Sequence, residues 1–438
     1  MNELKGDLPE GFKMTELGPL PEEWEVVRLG DVAEISSGGS APQGDEYFKG
    51  SKPFVRVSHI DNEDCVIKEY DLINDKAVQD YRLKLFPKGT IVFPKSGATI
   101  YLEKRAMLPI DAYVVSHLCT VLSKREDLSQ CFLFYVLRNL KFAKEKADGY
   151  PTLNISEIKQ IIFPLPPLPE QRKIAAILSA IQEAKEKTEA VISATRELKK
   201  SMMNYLFTYG PVSVVDAENV PLKETEVGMV PEEWEVVRLG ECLDLLRNGI
   251  TEKQDKAGRG LPVSRIETIS TGKINVQKVG YILGLSNDEI ERYKLQEGDV
   301  LFSHINSEPY LGNSAIYENN PKVLIHGMNL LLFRTKASML DSKFLNFLFN
   351  YYRQKRVFLQ IASRSVNQSS INQGKIKTLL IPLPPLPTQQ KIASMLSAID
   401  EKIEAEENKK KALEDLFKTL LHNLMTAKIR VNSLEVGV

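Results

Sequence analysis

The chain repeats itself. Residues 164–183 read PLPPLPEQRKIAAILSAIQE and residues 382–401 read PLPPLPTQQKIASMLSAIDE, with 15 of 20 positions identical at an offset of 218. Such a duplication constrains the fold before composition does, because each copy must bury its apolar face in the same way. Pro166, Pro167 and Pro169 hold the approach extended, and Pro169 suits the first helical turn, where a missing N–H costs nothing. Glu170 sets a carboxylate at the positive end of the helix dipole. Beyond it Ile174, Ile177, Ile181, Val191, Leu198 and Met202 fall on steps of three and four, the spacing of a heptad seam. The second copy carries Leu396, Ile399, Ile403, Leu413, Phe417 and Leu420 on like spacing, interrupted by Glu406 and Lys410. Each proline gate therefore predicts a coiled-coil helix of roughly 35–40 residues, about 55–60 Å long.

A second repeated block sets the period. Residues 13–30 (KMTELGPLPEEWEVVRLG) and 223–240 (KETEVGMVPEEWEVVRLG) match at 14 of 18 positions at an offset of 210, and they hold both tryptophans, Trp24 and Trp234. The order is block, variable domain, helix, then the same again. The expected segments are a first domain with its block at 1–163, a helix at 164–209, a linker and second domain at 210–381, and a second helix with tail at 382–438. The domains have the mixed patterning of an α+β fold. Strands are expected at 54–57, 90–93 and 113–122 and a helix at 128–147. In the second domain they are expected at 300–302 and 323–334, with a helix at 342–361 that Asp341 caps. Two like halves imply a pseudo-twofold, circular repeat: two α/β heads separated by two long antiparallel coiled-coil helices. The tail after the second helix stands where Tyr209-Gly210-Pro211 stands after the first.

Charge is informative locally. The net charge is −1, yet residues 243–380 hold 19 Lys+Arg against 12 Asp+Glu, and no acid lies between Asp341 and Asp400. That asymmetry points to a surface facing a polyanion. The first domain, 31–164, has 18 bases and 18 acids, so a basic face there depends on folding. The charged N-terminal stretch lacks the apolar core of a signal peptide, no run approaches a membrane span, and the four cysteines form no CxxC pair. A cytoplasmic protein, with no membrane partner, is expected.

No phosphate-loop, nucleophile-elbow or HExxH pattern occurs, no methyltransferase tetrapeptide of the NPPY type is found, and the five histidines lack metal-ligand spacing. ExK triplets such as Glu157-Ile-Lys159 are expected by chance at 26% charged residues. No catalytic and no metal-binding residue is expected. Were the polyanion a nucleic acid, phosphates would call for Lys, Arg and hydroxyls on loops, and base edges for Arg, Asn, Gln or Lys. The candidates in the first head are Lys95, Ser96, Lys104, Arg105, Tyr150 and Asn154. In the second they are Ser303, His304, Asn306, Arg353, Arg356, Arg364, Asn367 and Gln368. A coiled-coil scaffold with two protein-interaction domains is the alternative.

The PEEWEVVRLG blocks, the paired LPPLP–Q–KIA–LSAI helices and two unlike inserts resemble the specificity subunit of type I restriction–modification systems. In the first head, residues 37–42 (SGGSAP) and 97–100 (GATI) resemble patterns of that family's target-recognition domains; in the second, 247–250 (RNGI) lacks the proline. The resemblance implies that each head reads one half of a split, asymmetric DNA site and that the helices set the spacer. It also implies two methyltransferase subunits carrying S-adenosylmethionine, two restriction–translocase subunits using ATP and Mg, and no cofactor in this chain itself.

Overall fold

The computed structural model describes residues 8–61, 64–142, 151–364 and 368–431. The chain divides into two units, residues 1–190 with 407–438, and residues 191–406.

Each unit stands on the same frame. In the first, the strand Glu25–Arg28 pairs antiparallel with Ile162–Leu165, Val26 facing Pro164. In the second, Glu235–Arg238 pairs with Leu380–Leu383, Val236 facing Pro382. The tryptophan block and the proline gate are thus two strands of one ribbon, which explains why the two motifs are duplicated together. Trp24 and Trp234 are fully buried beneath it.

A four-stranded antiparallel sheet follows, ordered Ala33–Ser37, Leu118–Ser123, Ile91–Pro94, Ala106–Met107. The second unit repeats it with Leu243–Asn248, Leu330–Thr335, Val300–Ser303 and Ser314–Ile316. Its middle strands are buried on both faces and so read as unbroken apolar runs. Ile91 and Phe93 enter the core shared with the helix Gln130–Asn139, while Val92 enters a second core behind the sheet. Val300 and Phe302 face the helix Ser342–Gln354, and Leu301 faces away. Beyond this frame the heads diverge. The first adds a sheet in which Ala112–Val114 pairs parallel with Phe48–Val55; the second reduces it to the short ribbon Leu261–Val263 with Gly280–Ile282, joined by a single parallel bridge from Val263 to Ile325.

Four expected elements come out differently. The helix expected at 128–147 ends at Asn139, because Leu140 turns extended and its carbonyl accepts from Arg105 Nη2 at 2.8 Å; residues 143–147 lie outside the described residues. The one expected at 342–361 stops at Gln354, Arg356 sits at φ 59° and a separate helix runs Val357–Ile361. The strand expected at 113–122 is two strands, Ala112–Val114 and Leu118–Ser123, and the one at 323–334 starts only at Leu330. Asp341 does cap its helix, accepting from the Phe344 amide at 2.8 Å.

The gates open helices of 42 residues (Leu168–Tyr209) and 40 residues (Leu386–Met425). Within the first unit Glu189 pairs with Lys410 and Glu170 with Arg430. Within the second, Lys199 pairs with Asp400 while Ile392 and Leu396 share a core with Met203 and Leu206. In each unit the start of one helix lies antiparallel to the end of the other. The seam is displaced from the expected one. Ile174 is buried and Ile177, Ile181 and Met202 are half-buried, but Val191 and Leu198 are 40% and 52% exposed. The buried stripe runs one residue further on, through Leu178, Gln182, Lys185, Thr188 and Ile192 to Met203. Its centre is polar, and counting apolar residues alone steps over it. In the second helix Leu396 and Phe417 are buried, and Ile399, Ile403, Leu413 and Leu420 half-buried. No helix of the described residues is long and apolar enough to cross a membrane.

Candidate nucleic-acid interface

Seven of the candidate residues gather at one equivalent place in each head: Lys95, Ser96 and Asn154 in the first, and His304, Asn306, Arg364 and Gln368 in the second. In the first, the segment after the strand Ile91–Pro94 is stitched to the segment before the proline gate. Leu153 N donates to Lys95 O at 2.7 Å, Gly97 N to Pro151 O at 2.9 Å, and Ser96 bridges to Thr152. Ser96 Oγ lies 2.7 Å from His117 Nδ1, fixing the loop from a third side. In the second head Ile371 N donates to His304 O at 2.9 Å, and Ile305 and Asn306 pair with Ser370 and Ser369. Residues 152 and 370, and 153 and 371, differ by 218, the repeat offset. The same backbone junction therefore carries Lys95, Ser96 and Asn154 in one head and His304, Asn306, Arg364 and Gln368 in the other.

The junction is elaborated in the second head. Ser363–Arg364 pairs with Ser369–Ser370, giving a three-stranded sheet with Ile305–Asn306. Arg364 and Gln368 are exposed on it, and Arg364 Nε lies 3.2 Å from Glu308. Asn306 is held by Nδ2 donating to Ser303 Oγ at 3.0 Å. Burial pushes the His304 imidazole down to about 4, so it stays neutral at pH 7 and presents hydrogen-bonding atoms without charge. Its buried Nδ1 has no partner among the protein atoms. Ser303 itself is fully buried and supports the sheet from below.

The remaining candidates have different settings. Arg105 is buried, its guanidinium spent on Glu103 and the Leu140 carbonyl and lying 4.5 Å from the Phe142 ring; it braces the fold and does not reach the surface. Lys104 Nζ is tied to Ile60 O at 2.8 Å. Tyr150 and Asn367 lie outside the described residues. Arg353 donates to Asn313 Oδ1 and, at 3.3 Å, to Pro309 O, and Arg356 is exposed beside it. These two border a cleft of about 620 Å³ whose opposite wall, Arg196, Lys199 and Lys200, belongs to the long helix. In the sequence the wall shows as the doublet Lys199-Lys200 beside Arg196, in a stretch where Leu198 falls on the heptad spacing.

Glycine marks the entry to both heads. A Cβ on Gly38 would meet the Val114 carbonyl at 1.9 Å, and one on Gly249 the Gly327 carbonyl at 2.0 Å. The loop 247–250, despite lacking the proline, thus occupies the place of 37–42. Among the described residues there is no cluster of three or more potential metal ligands.

Sequence comparison finds the type I restriction modification DNA specificity domain twice, at residues 21–194 and 231–415. The putative type I restriction enzyme MjaX specificity subunit of Methanocaldococcus jannaschii is 46% identical over 204 residues, 47% of this chain and 48% of that protein, so the match spans about half its length. The type I restriction enzyme MjaVIII specificity subunit of the same organism is 28% identical across 97% of both chains. Among solved structures, the type I restriction–modification S subunit from M. genitalium superposes with a TM-score of 0.59 at 15% identity, covering 92% of this chain and 96% of that one. That likeness is one of fold.

Proposed function

The chain belongs to the type I restriction–modification DNA specificity family, and on that premise we propose that it is the DNA sequence-specificity subunit of a type I restriction–modification complex. Each head reads one half of a bipartite, asymmetric site, and the paired helices set the spacer and dock the methyltransferase subunits. The observation that carries this reading is the junction common to both heads: one backbone frame, Lys95 O with Leu153 N and His304 O with Ile371 N, presents unlike polar side chains. A fixed frame with variable hydrogen-bonding groups is what reading two different half-sites requires.

Chemistry falls to the partners. Double-stranded DNA, two methyltransferase subunits bringing S-adenosylmethionine and two restriction–translocase subunits with ATP and Mg complete the assembly in the cytoplasm, and this chain contributes recognition without catalysis. The test is methylation mapping. Co-expression with a methyltransferase partner should place modified adenines in a single split motif, each half changing when its own head is replaced. Methylation indifferent to this chain overturns the reading.

A further inference from the structure

The cleft in the second unit gathers five cationic side chains. It is lined by Arg196, Lys199 and Lys200 of the helix Leu168–Tyr209 and by Arg353 and Arg356 of the head, with Glu308 as its one carboxylate. Glu308 is engaged by Arg364 at 3.2 Å, and Lys199 is engaged by Asp400 at 2.6 Å. Lys200 is only loosely met by Glu197, at 3.9 Å across an exposed turn. Arg353 is the telling member, because both groups it donates to, Asn313 Oδ1 and Pro309 O, are uncharged. Neutral acceptors thus orient its guanidinium without neutralising it, which is the form an arriving anion would pair with.

Two of the helix cations have no cationic counterpart in the first unit. At the repeat offset of 218, Arg196 becomes Glu414 and Lys199 becomes Phe417. Phe417 is buried, its ring 6.1 Å from that of Tyr135, where Lys199 of the second unit stands 5.2 Å from the Phe347 ring. A requirement shared by both copies of the framework would have kept one chemistry at both places. Cations in one copy and a carboxylate and phenyl in the other tie these two positions to the second head, while Lys200 keeps its charge in the first unit as Lys418.

We propose that this cleft binds the phosphodiester backbone of duplex DNA running past the second half-site, so that the first long helix is itself a DNA-contacting element. The proposal rests on the reading of the chain as a DNA-recognition subunit. Phosphate contacts carry no sequence information. The cleft therefore adds affinity and holds the register of the second head without altering which bases it reads.

The test uses the full chain and a DNA duplex containing the mapped bipartite site, with binding measured across a range of salt concentrations. R196Q, K200Q and R356Q, singly and together, should weaken binding uniformly on cognate and mismatched duplexes. Each should lower the slope of log K against log salt by about 0.9, the value per released phosphate contact. K418Q, at the position equivalent to Lys200 in the first unit, should leave the slope unchanged. A wild-type slope in the triple variant, or an equal drop with K418Q, overturns the cleft while leaving the recognition reading intact. Wild-type protein that holds no DNA at any salt overturns both. Inorganic phosphate or free nucleotide competing as well as duplex at equal phosphate concentration would assign the cleft to small anions and overturn the backbone assignment.

Discussion

Gln171 and Gln389 stand at equivalent positions of the two repeats and make the same three hydrogen bonds. Gln171 accepts from Ser129 N at 2.8 Å and donates to Asp127 O and Pro166 O, both at 2.8 Å. Gln389 accepts from Asp341 N at 2.8 Å and donates to Met339 O at 2.9 Å and Pro384 O at 2.8 Å. Both side chains are fully buried. Each locks a proline gate to the residue that caps its head's helix, Ser129 or Asp341. The head and the long helix are thereby fixed at one angle in each unit.

Replacing either glutamine with leucine keeps the volume and strands three backbone groups. A buried group left unpaired costs about 1–3 kcal/mol, so Q171L and Q389L should each lower local stability by several kcal/mol. Hydrogen exchange should accelerate in the helix Gln130–Asn139 for Q171L and in Ser342–Gln354 for Q389L. Equal acceleration in both helices by either variant would show that the lock is not local to its unit.

The neighbouring position is where the copies part. Glu170 is buried, accepts from Trp24 Nε1 at 2.9 Å and pairs with Arg430 at 2.9 Å. At the repeat offset these residues become Thr388 and Val212. Breaking a buried pair from one side leaves an uncompensated charge and costs about 3–5 kcal/mol, whereas removing both ends costs less. R430V should therefore destabilise the first unit more than the double variant E170T/R430V, which copies the second unit. A double-mutant cycle on hydrogen exchange of Glu25–Arg28 reads the coupling, and strict additivity would refute it.

The second head should weaken in mild acid. Burial lowers His304 to about 4 and His326 to about 3, from an unfolded value of 6.5. Above pH 6.5 both states are neutral and the pair contributes nothing. As pH falls below 6.5 the unfolded chain takes up protons that the folded head refuses, so stability declines until the folded imidazoles also titrate. Each unit of separation is worth about 1.4 kcal/mol. Exchange protection of Leu330–Thr335 should fall between pH 6.5 and 4 and level off below about 3. H304Q and H326Q should flatten that decline, and an unchanged slope in the double variant would assign it elsewhere.

What the sequence made legible was whatever the duplication printed twice: gates, tryptophan blocks, long helices and the order of parts. Residue type exposed Asp341 as a cap, and Lys, Arg, Asn and hydroxyl content pointed to the segments around residues 95, 154, 304 and 368 as contact loops. It did not reveal the phase of the helical seam, since buried Gln182 and Lys185 are invisible to a count of apolar residues. Nor could it separate Arg105, spent on Glu103 and Leu140, from surface arginines, because partners 35 residues away leave no local pattern. Helix ends depart from the apolar pattern where a tertiary bond, such as Arg105 to the Leu140 carbonyl, turns the chain.

The helices themselves offer the last test. In the first unit Glu189 faces Lys410, and in the second Lys199 faces Asp400; both pairs fit one antiparallel register. Seven residues removed from each strand of that register, 186–192 and 407–413, spare every contact between helix and head named above and take out one pair between the helices, Glu189–Lys410. Each seven-residue deletion shortens its helix by about 10 Å at ~1.5 Å per residue. At about 3.4 Å of duplex per base pair, the unread spacer of the methylated motif should shrink by about three pairs. The half-site sequences should stay the same, because the junctions at Lys95 and His304 are untouched. Methylation mapping of the double deletion decides it: a spacer of the original length with full modification would mean that something other than these helices measures the distance.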